Sequence, residues 1–294
     1  MRDCVDHGNR RGILAMAFAM ASFVANDALV KFVSQSLPAA QLIFLRGVFA
    51  LALLMAATQA MGLLRKPAEG RLGPVQLVLL KPVIVRSALD ALATLVYLAS
   101  LFHLPLGNAT AINMATPLMI TLFVVVVWRE QVSPGRWVAI LLGFIGVLMI
   151  VQPVTEGFNS WALLCLAGTA LHAARDICTR SIPGNVPSIL ITLGTAISVT
   201  TLSGVLSLIQ GWEPFSPFQL GLLAGASVFL SVGYYLLILS TRAGDMSVVA
   251  PFRYVGLLFA LILGWAVWGD LPNALAWVGI VLLLGAGVYM LRRA

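Results

Sequence analysis

Apolar residues follow one another in long runs broken by short polar segments, and at ~20 residues per bilayer crossing these runs predict ten helices. We place the spans at 12–33, 39–62, 82–103, 106–128, 135–152, 160–180, 187–210, 218–241, 246–268 and 272–291. The fold class is therefore all-α and integral to the membrane. Proline supports the boundaries. Pro38, Pro82, Pro105, Pro187 and Pro272 sit at predicted helix starts, where a missing N–H costs little. Pro117 and Pro251 fall inside spans 4 and 9, where each frees a backbone carbonyl and invites a kink. A hinge and a merely tolerated proline both fit that placement.

Basic residues assign the sides. Arg65, Lys66, Arg71, Lys81, Arg129, Arg136, Arg180, Arg242, Arg292 and Arg293 fall at span ends on one side, whereas the loops of the other carry only Glu156, Glu213 and Asp270. The positive-inside rule puts the basic side, and both termini, in the cytoplasm. Met1 to Arg11 is a short polar leader. The apolar run after it is too long for a secretory signal and contains Asp27 and Lys31, so it is expected to be kept as span 1.

The chain repeats itself. Asp27 and Lys31 recur as Asp176 and Arg180, and Pro38 as Pro187, at an offset of 149 positions. Trp128, Glu130 and Trp137 match Trp268, Asp270 and Trp277 at an offset of 140, as Asn113 matches Arg253. The change of offset is explained by the long basic loop Leu63 to Lys81, which the second half replaces with the short Gly211 to Pro217. With five spans per half, the second runs upside down relative to the first. The expected architecture is two inverted five-helix repeats, residues 12–152 and 158–291.

Polar side chains inside the spans carry the candidate chemistry. Asp27 and Lys31 share a helix face, and each would cost at least ~2.5 kcal/mol at the bilayer centre if unpaired. They fit an ion pair within the helix or, with Asp176 and Arg180 at the opposite end, a pair of gates bonded across helices when closed. Arg86, Asp90, Thr94 and Tyr97 line one face of span 3, with Asp90 deep enough to need Arg86 as its partner. His172 lies one turn before Asp176 in span 6, and Asn26 directly precedes Asp27. Thr110, Asn113 and Thr116 surround Pro117, while Arg253 and Tyr254 follow Pro251. Tyr97, Tyr234, Tyr235 and Tyr254 fall within spans, where each hydroxyl wants a partner. Trp128, Trp137, Trp161, Trp212, Trp268 and Trp277 fall at span ends, as an interfacial aromatic belt requires. Gly143, Gly146, Gly221 and Gly225 are expected at close helix contacts.

Composition narrows the class. The 294 residues are 60% hydrophobic and 10% charged, against roughly 25% charged in a soluble domain. The net charge of +7 is the topological excess of basic loops, so nucleic acid is not an expected partner. Cys4, Cys165 and Cys178 form neither a disulfide framework nor a metal spacing. No phosphate-binding glycine loop or zinc-protease helix motif occurs, and no cofactor is expected.

These features resemble the EamA family of the drug/metabolite transporter superfamily, with ten helices in two repeats and an acid after the fourth helix of each, in Trp128-Arg129-Glu130 and Trp268-Gly269-Asp270. Ala250-Pro251-Phe252-Arg253-Tyr254 resembles the start of the ninth helix in many relatives, including the YddG-like exporters of aromatic amino acids and other metabolites. The second half departs from the first, with Asp270 in place of Glu and no counterpart of Arg86/Asp90 in span 8. The resemblance implies a multi-pass protein of a bacterial inner membrane. It also implies a central cavity bounded mainly by spans 1, 3, 4, 6, 8 and 9 and opened to each side in turn. Arg46, on span 2, is the in-span charge that falls outside those helices.

Within that frame the candidate substrate-binding residues are Asn26, Asp90, Tyr97, Asn113, His172, Asp176, Tyr234, Arg253 and Tyr254; the candidate gating residues are Asp27, Lys31, Arg180, Pro117 and Pro251. Separated acidic and basic groups with tyrosine faces suit a zwitterion with an apolar side chain. The first reading is thus a secondary transporter exporting amino acids, aromatic or otherwise apolar, and related small metabolites. The second is an uptake carrier for a nucleoside-like or phosphorylated metabolite on the same scaffold. A membrane enzyme comes third, since no catalytic constellation occurs. Expected partners are a small-molecule substrate and the lipid bilayer, with protons open as a coupling ion; the oligomeric state is not legible.

Overall fold

The computed structural model describes residues 2–63, 73–128, 133–152, 159–179, 181–243 and 249–292, apart from the side chains of 2–8, 124, 127, 128, 136, 238, 241–243, 250, 251 and 290–292. The helices are α1 (Arg2–Val33), α2 (Ala39–Ala60), α3 (Pro74–Val78), α4 (Lys81–Leu101), α5 (Leu106–Asn113), α6 (Thr116–Trp128), α7 (Pro134–Val151), α8 (Trp161–Thr179), α9 (Ser188–Gln210) and α10 (Pro217–Ala243). After a 3₁₀ turn (Ala250–Tyr254) come α11 (Val255–Trp268) and α12 (Ala274–Arg292). No strand occurs among the described residues.

The stretches Asn9–Val33, Ala39–Ala60, Lys81–Leu101, Ser188–Gln210 and Pro217–Leu237 are each long and apolar enough to cross a bilayer, with shorter apolar helices at Trp137–Val151, Phe252–Trp268 and Ala274–Tyr289. Polarity is turned inside out relative to a soluble domain. Leu14, Phe18, Leu141, Leu208, Ile262 and Trp265 are exposed, whereas Asn26, Lys31, Gln41, Arg46 and Asp90 are buried. Several hydroxyls within the spans are satisfied by their own helix: Thr58, Thr169, Ser203 and Ser231 donate to carbonyls one turn back, as a water-free surrounding favours.

Pro38, Pro105 and Pro187 cap α2, α5 and α9 as expected. Span 4 is broken rather than bent. Pro117 cannot donate to Asn113 one turn earlier, and the Thr116 hydroxyl takes that freed carbonyl at 2.6 Å. α5 therefore stops at Asn113 and α6 starts at Thr116. Span 9 changes at the matching place, its 3₁₀ turn giving way to α11 after Tyr254. The side chain of Pro251 lies outside the described residues. α3, within the basic loop, was not expected from the sequence.

Packing order closes into a ring. α1 packs on α10, α10 on α2, α2 on α9, α9 on α4, α4 on α8, α8 on α5 and α6, α5 on α11, and α11 on α1. α7 and α12 pack on each other outside this ring, behind α5 and α6. Amides latch two of these pairs at their ends. Gln41 exchanges hydrogen bonds with the backbone of Glu213 at 2.8 and 2.9 Å, and Gln152 and Asn273 bond reciprocally at 2.7 and 3.0 Å.

Glycine sets the α7–α12 contact. A Cβ on Gly146 would lie 2.6 Å from the Gly279 carbonyl, and one on Gly279 would lie 2.5 Å from the Gly146 carbonyl. Gly143 likewise faces Leu118 and Ala286. Gly221 does not follow the expectation: nothing lies within 4 Å of its absent side chain, because it faces away from the neighbouring helices. Gly225 meets only Leu29, at 3.9 Å.

Candidate functional site

The ring places two polar groups in its interior. The first centres on α1. Asn26 Nδ2 donates to Asp27 Oδ1 at 2.9 Å, and the Tyr97 hydroxyl donates to Asp27 Oδ2 at 3.2 Å. α1 and α4 share little direct packing, so Tyr97 reaches across the interior to make this bond. Arg46 Nη1 approaches Asn26 Oδ1 at 3.4 Å. Tyr234 of α10 packs edge-on to Phe23, ring centroids 5.2 Å apart.

The second group lies between α4 and α8. Arg175 donates from Nη1 to Asp90 Oδ1 at 2.7 Å and from Nη2 and Nε to Asp176 Oδ1 at 2.8 and 2.9 Å. Arg86 Nη1 lies 3.4 Å from Asp90 Oδ2, the pair expected from the sequence. Arg86 also donates to the hydroxyls of Thr179 and Thr195, tying α4 to α8 and α9. Two acids face two bases here, and one acid faces one base in the first group.

His172 joins the two groups. Its Nδ1 lies 3.1 Å from Asn113 Oδ1, at the end of α5, and its ring lies 5.7 Å from that of Tyr97. The break before Pro117 is what ends α5 at Asn113 and leaves that residue facing α8. Asp27, His172, Arg175 and Tyr234 are enclosed by protein yet keep part of their surface accessible. They border space that a water-sized molecule can enter. Two clefts lie elsewhere. One of about 370 Å³ between α2 and α9 is apolar, lined by Phe44, Leu51, Leu208 and Trp212 among others. One of about 200 Å³ is lined by Asn108, Gln152, Asn159 and Asn273.

Several expectations change. Asp27 and Lys31 form no ion pair. Asp27 accepts from Asn26 at Oδ1 and from Tyr97 at Oδ2, while the Lys31 ammonium donates to the Leu104 carbonyl and lies 5.2 Å from the centre of the Trp268 ring. That carbonyl precedes α5 and lies outside its ladder, so the lysine supplies a donor the backbone lacks. Asp270 is near enough to act on Lys31 through space. Asp176 is paired with Arg175; its expected pairing with Arg180 falls on a residue outside those described.

The structure thus brings together Asn26, Asp27, Asp90, Tyr97, Asn113, His172, Asp176 and Tyr234. It does not bring Arg253 or Tyr254 to them. Arg253 is exposed, with no ion pair among the described residues. The Tyr254 hydroxyl is buried without a hydrogen-bond partner, against Gly287 of α12. Arg175 and Arg46 are the residues the sequence reading left out of the site. Arg175 carried a signal, being an in-span charge 149 positions after Asn26. No group of metal-ligating side chains occurs among the described residues.

A family model described as "EamA-like transporter family" matches the chain twice, over residues 10–152 and 159–292. A riboflavin transporter of Rhizobium johnstonii is 31% identical over 71% of this chain and 69% of its own. A pseudopaline exporter of Pseudomonas aeruginosa is 26% identical over 96% of each chain. An S-adenosylmethionine uptake transporter of Rickettsia prowazekii is 26% identical over 64% of this chain and 63% of its own. A crystal structure at 18% identity matches 94% of each chain with a TM-score of 0.61, which shows a shared fold.

Proposed function

Since the chain belongs to the EamA-like transporter family of multi-pass inner-membrane proteins, we propose that it is a secondary transporter exporting small zwitterionic metabolites, apolar and aromatic amino acids first among them. The observation that carries this is the line of interior polar groups from Arg46 through Asn26, Asp27, Tyr97 and His172 to Asn113, continued by Asp90, Arg175 and Asp176. With Arg86, which also faces Asp90, three cations balance three anions. A balanced interior with aromatic faces favours a substrate carrying both signs and an apolar body. A phosphorylated substrate would need a cationic excess that the two groups lack.

Alternating access is part of this reading. The two matched segments are taken as inverted repeats with both termini cytoplasmic, as the basic loops indicate. Packing supports it. Exchanging the halves converts the α1–α10 contact into α8–α4 and α2–α10 into α9–α4, and maps α2–α9 and α7–α12 onto themselves. The helix breaks after Asn113 and Tyr254 fall at nearly equivalent positions. Asn26, Tyr97, Asn113, His172 and Tyr234 would face substrate. Lys31, bonded across to Leu104 and Trp268, would close one end, and the Arg86–Asp90–Arg175–Asp176 group would close the other.

Uptake of a nucleoside-like metabolite is the second reading, favoured by the riboflavin and S-adenosylmethionine transporters among the relatives. Counterflow of labelled amino acids, riboflavin and nucleotides into liposomes holding the purified protein separates the two. Amino-acid counterflow is expected. Counterflow of riboflavin or nucleotides alone would replace the first reading with the second. Imposed gradients in sealed vesicles of known orientation then give direction and coupling ion.

A further inference from the structure

Among the described charged side chains of the interior, Arg46 stands apart in what it leaves unused. It is 6% exposed, on α2, and a guanidinium carries five N–H donors in a planar fork. One reaches Asn26 Oδ1 at 3.4 Å, beyond the roughly 2.7–3.2 Å of ordinary N–H···O bonds. Nε is buried with no partner. No carboxylate among the described residues approaches within 4.0 Å, and Asp27 acts on it only through space. Arg86 and Arg175, by contrast, are engaged by acids and hydroxyls. A buried guanidinium left this way is costly, and its vacant edge has the geometry that binds a carboxylate through two parallel N–H···O bonds.

We propose that Arg46 binds the substrate's carboxylate and that Asp27, held on the far side of Asn26, binds its ammonium group. This rests on the reading of the chain as a carrier of zwitterionic metabolites. Asn26 is the spacer: it accepts from Arg46, donates to Asp27, and keeps the two charges from collapsing onto each other. Held apart, they present a positive and a negative site in the order an α-amino carboxylate requires. A phosphate dianion would gain Arg46 but meet Asp27. The edge-to-face pair Phe23 and Tyr234, with Tyr97 beyond Asp27, supplies apolar surface for the rest of the molecule. Arg46 enters this site because the ring includes α2, which the cavity implied by family resemblance left out.

The test uses the full-length protein in liposomes and counterflow of labelled L-phenylalanine. Two competitors separate the charges: phenethylamine lacks the carboxylate, and hydrocinnamate lacks the amine. In the wild type both are expected to compete about tenfold or more weakly than unlabelled phenylalanine, the effect of losing one charge-assisted contact. In Arg46→Gln the half-saturating phenylalanine concentration is expected to rise about tenfold or more. Phenethylamine should then compete as well as phenylalanine, and Arg46→Lys should recover part of the difference. Melting in detergent, with and without phenylalanine, gives an independent readout: the upward shift seen for the wild type should be lost in Arg46→Gln. A folded Arg46→Gln with wild-type affinity and discrimination overturns the role of Arg46 and leaves the carrier reading standing. Failure of both variants to fold would make Arg46 a structural charge and also overturn it. Absence of phenylalanine counterflow in the wild type removes the zwitterion reading and this inference with it.

Discussion

Arg175 Nη1 of α8 and Asp90 Oδ1 of α4 stand 2.7 Å apart, the shorter of the two contacts by which guanidinium groups hold that carboxylate. The same arginine also holds Asp176, so one side chain ties an acid of its own helix to an acid of another. Asp90 is only 3% exposed. Its surroundings are those of a structural clamp, with a cation on either side.

Asp90→Asn is therefore expected to destabilise the fold by about 3–5 kcal/mol, since it leaves two largely enclosed guanidinium groups short of an anion. A lowered melting temperature and reduced folded yield in detergent check this. A fully stable Asp90→Asn protein that exchanges substrate but no longer accumulates it against a proton gradient would instead make Asp90 the coupling acid.

Lys31→Gln removes a charged donor from the Leu104 carbonyl and a cation from the Trp268 ring, contacts worth about 1–2 kcal/mol together. The protein is expected to shift about 5- to 30-fold towards the state open at that end. Maleimide labelling of single cysteines near Leu104 should speed up accordingly. Asp27→Asn, which touches neither partner, should leave that labelling unchanged; equal effects of the two substitutions would restore the intrahelical pair.

Pro117→Ala returns an N–H to the backbone opposite the Asn113 carbonyl and allows α5 and α6 to join. Joining them would turn Asn113 away from His172. Counterflow is expected to fall several-fold while the melting temperature holds or rises, a stabilisation of about 0.5–1 kcal/mol being the usual size of a removed backbone conflict. Unchanged transport in a straightened helix would show that the break is only tolerated.

Gly146→Ala and Gly279→Ala each push a methyl into a carbonyl of the facing helix. Backbone cannot step aside as a side-chain tip can. Each substitution is expected to cost about 1–3 kcal/mol, read as a lower melting temperature. Gly221→Ala, with open space around it, is the control and should melt with the wild type.

Legibility in the sequence followed the range of the interactions. Apolar runs and capping prolines located the helices because both act within one element, and the Arg86–Asp90 pair was readable because its members sit one turn apart. The disturbance at Pro117 was readable too, though as a kink rather than a break, and Thr116 as the donor that stabilises the break was not. Partners brought from elsewhere were not legible. Arg175 and Asp90 are 85 positions apart, and Lys31 and Leu104 are 73 apart. Lys31 had a local partner at ideal spacing and did not use it: Asp27 accepts from Tyr97 and Asn26, and Lys31 donates to the distant Leu104 carbonyl. Arg253 looked deep when counted along an unbroken helix. The 3₁₀ turn that carries it gives it a different direction.

The glycine contact between α7 and α12 also divides the molecule mechanically. Those two helices touch backbone to backbone and brace α5 and α6 from behind, whereas α2 and α9 on the far side are backed, among the described residues, only by the short α3 against α9. On the alternating-access reading proposed above, the doubly layered wall would act as a stator and the opposite wall would lean. The Lys31 and Arg175 contacts are anchored on α1, α4 and α8, outside the braced pair, so on that reading the rocking that opens an end would pivot on α7 and α12. That wall exposes Leu53, Met55, Leu208 and Ile209, so on the same reading lipid thickness and lateral pressure would act on the helix that carries Arg46.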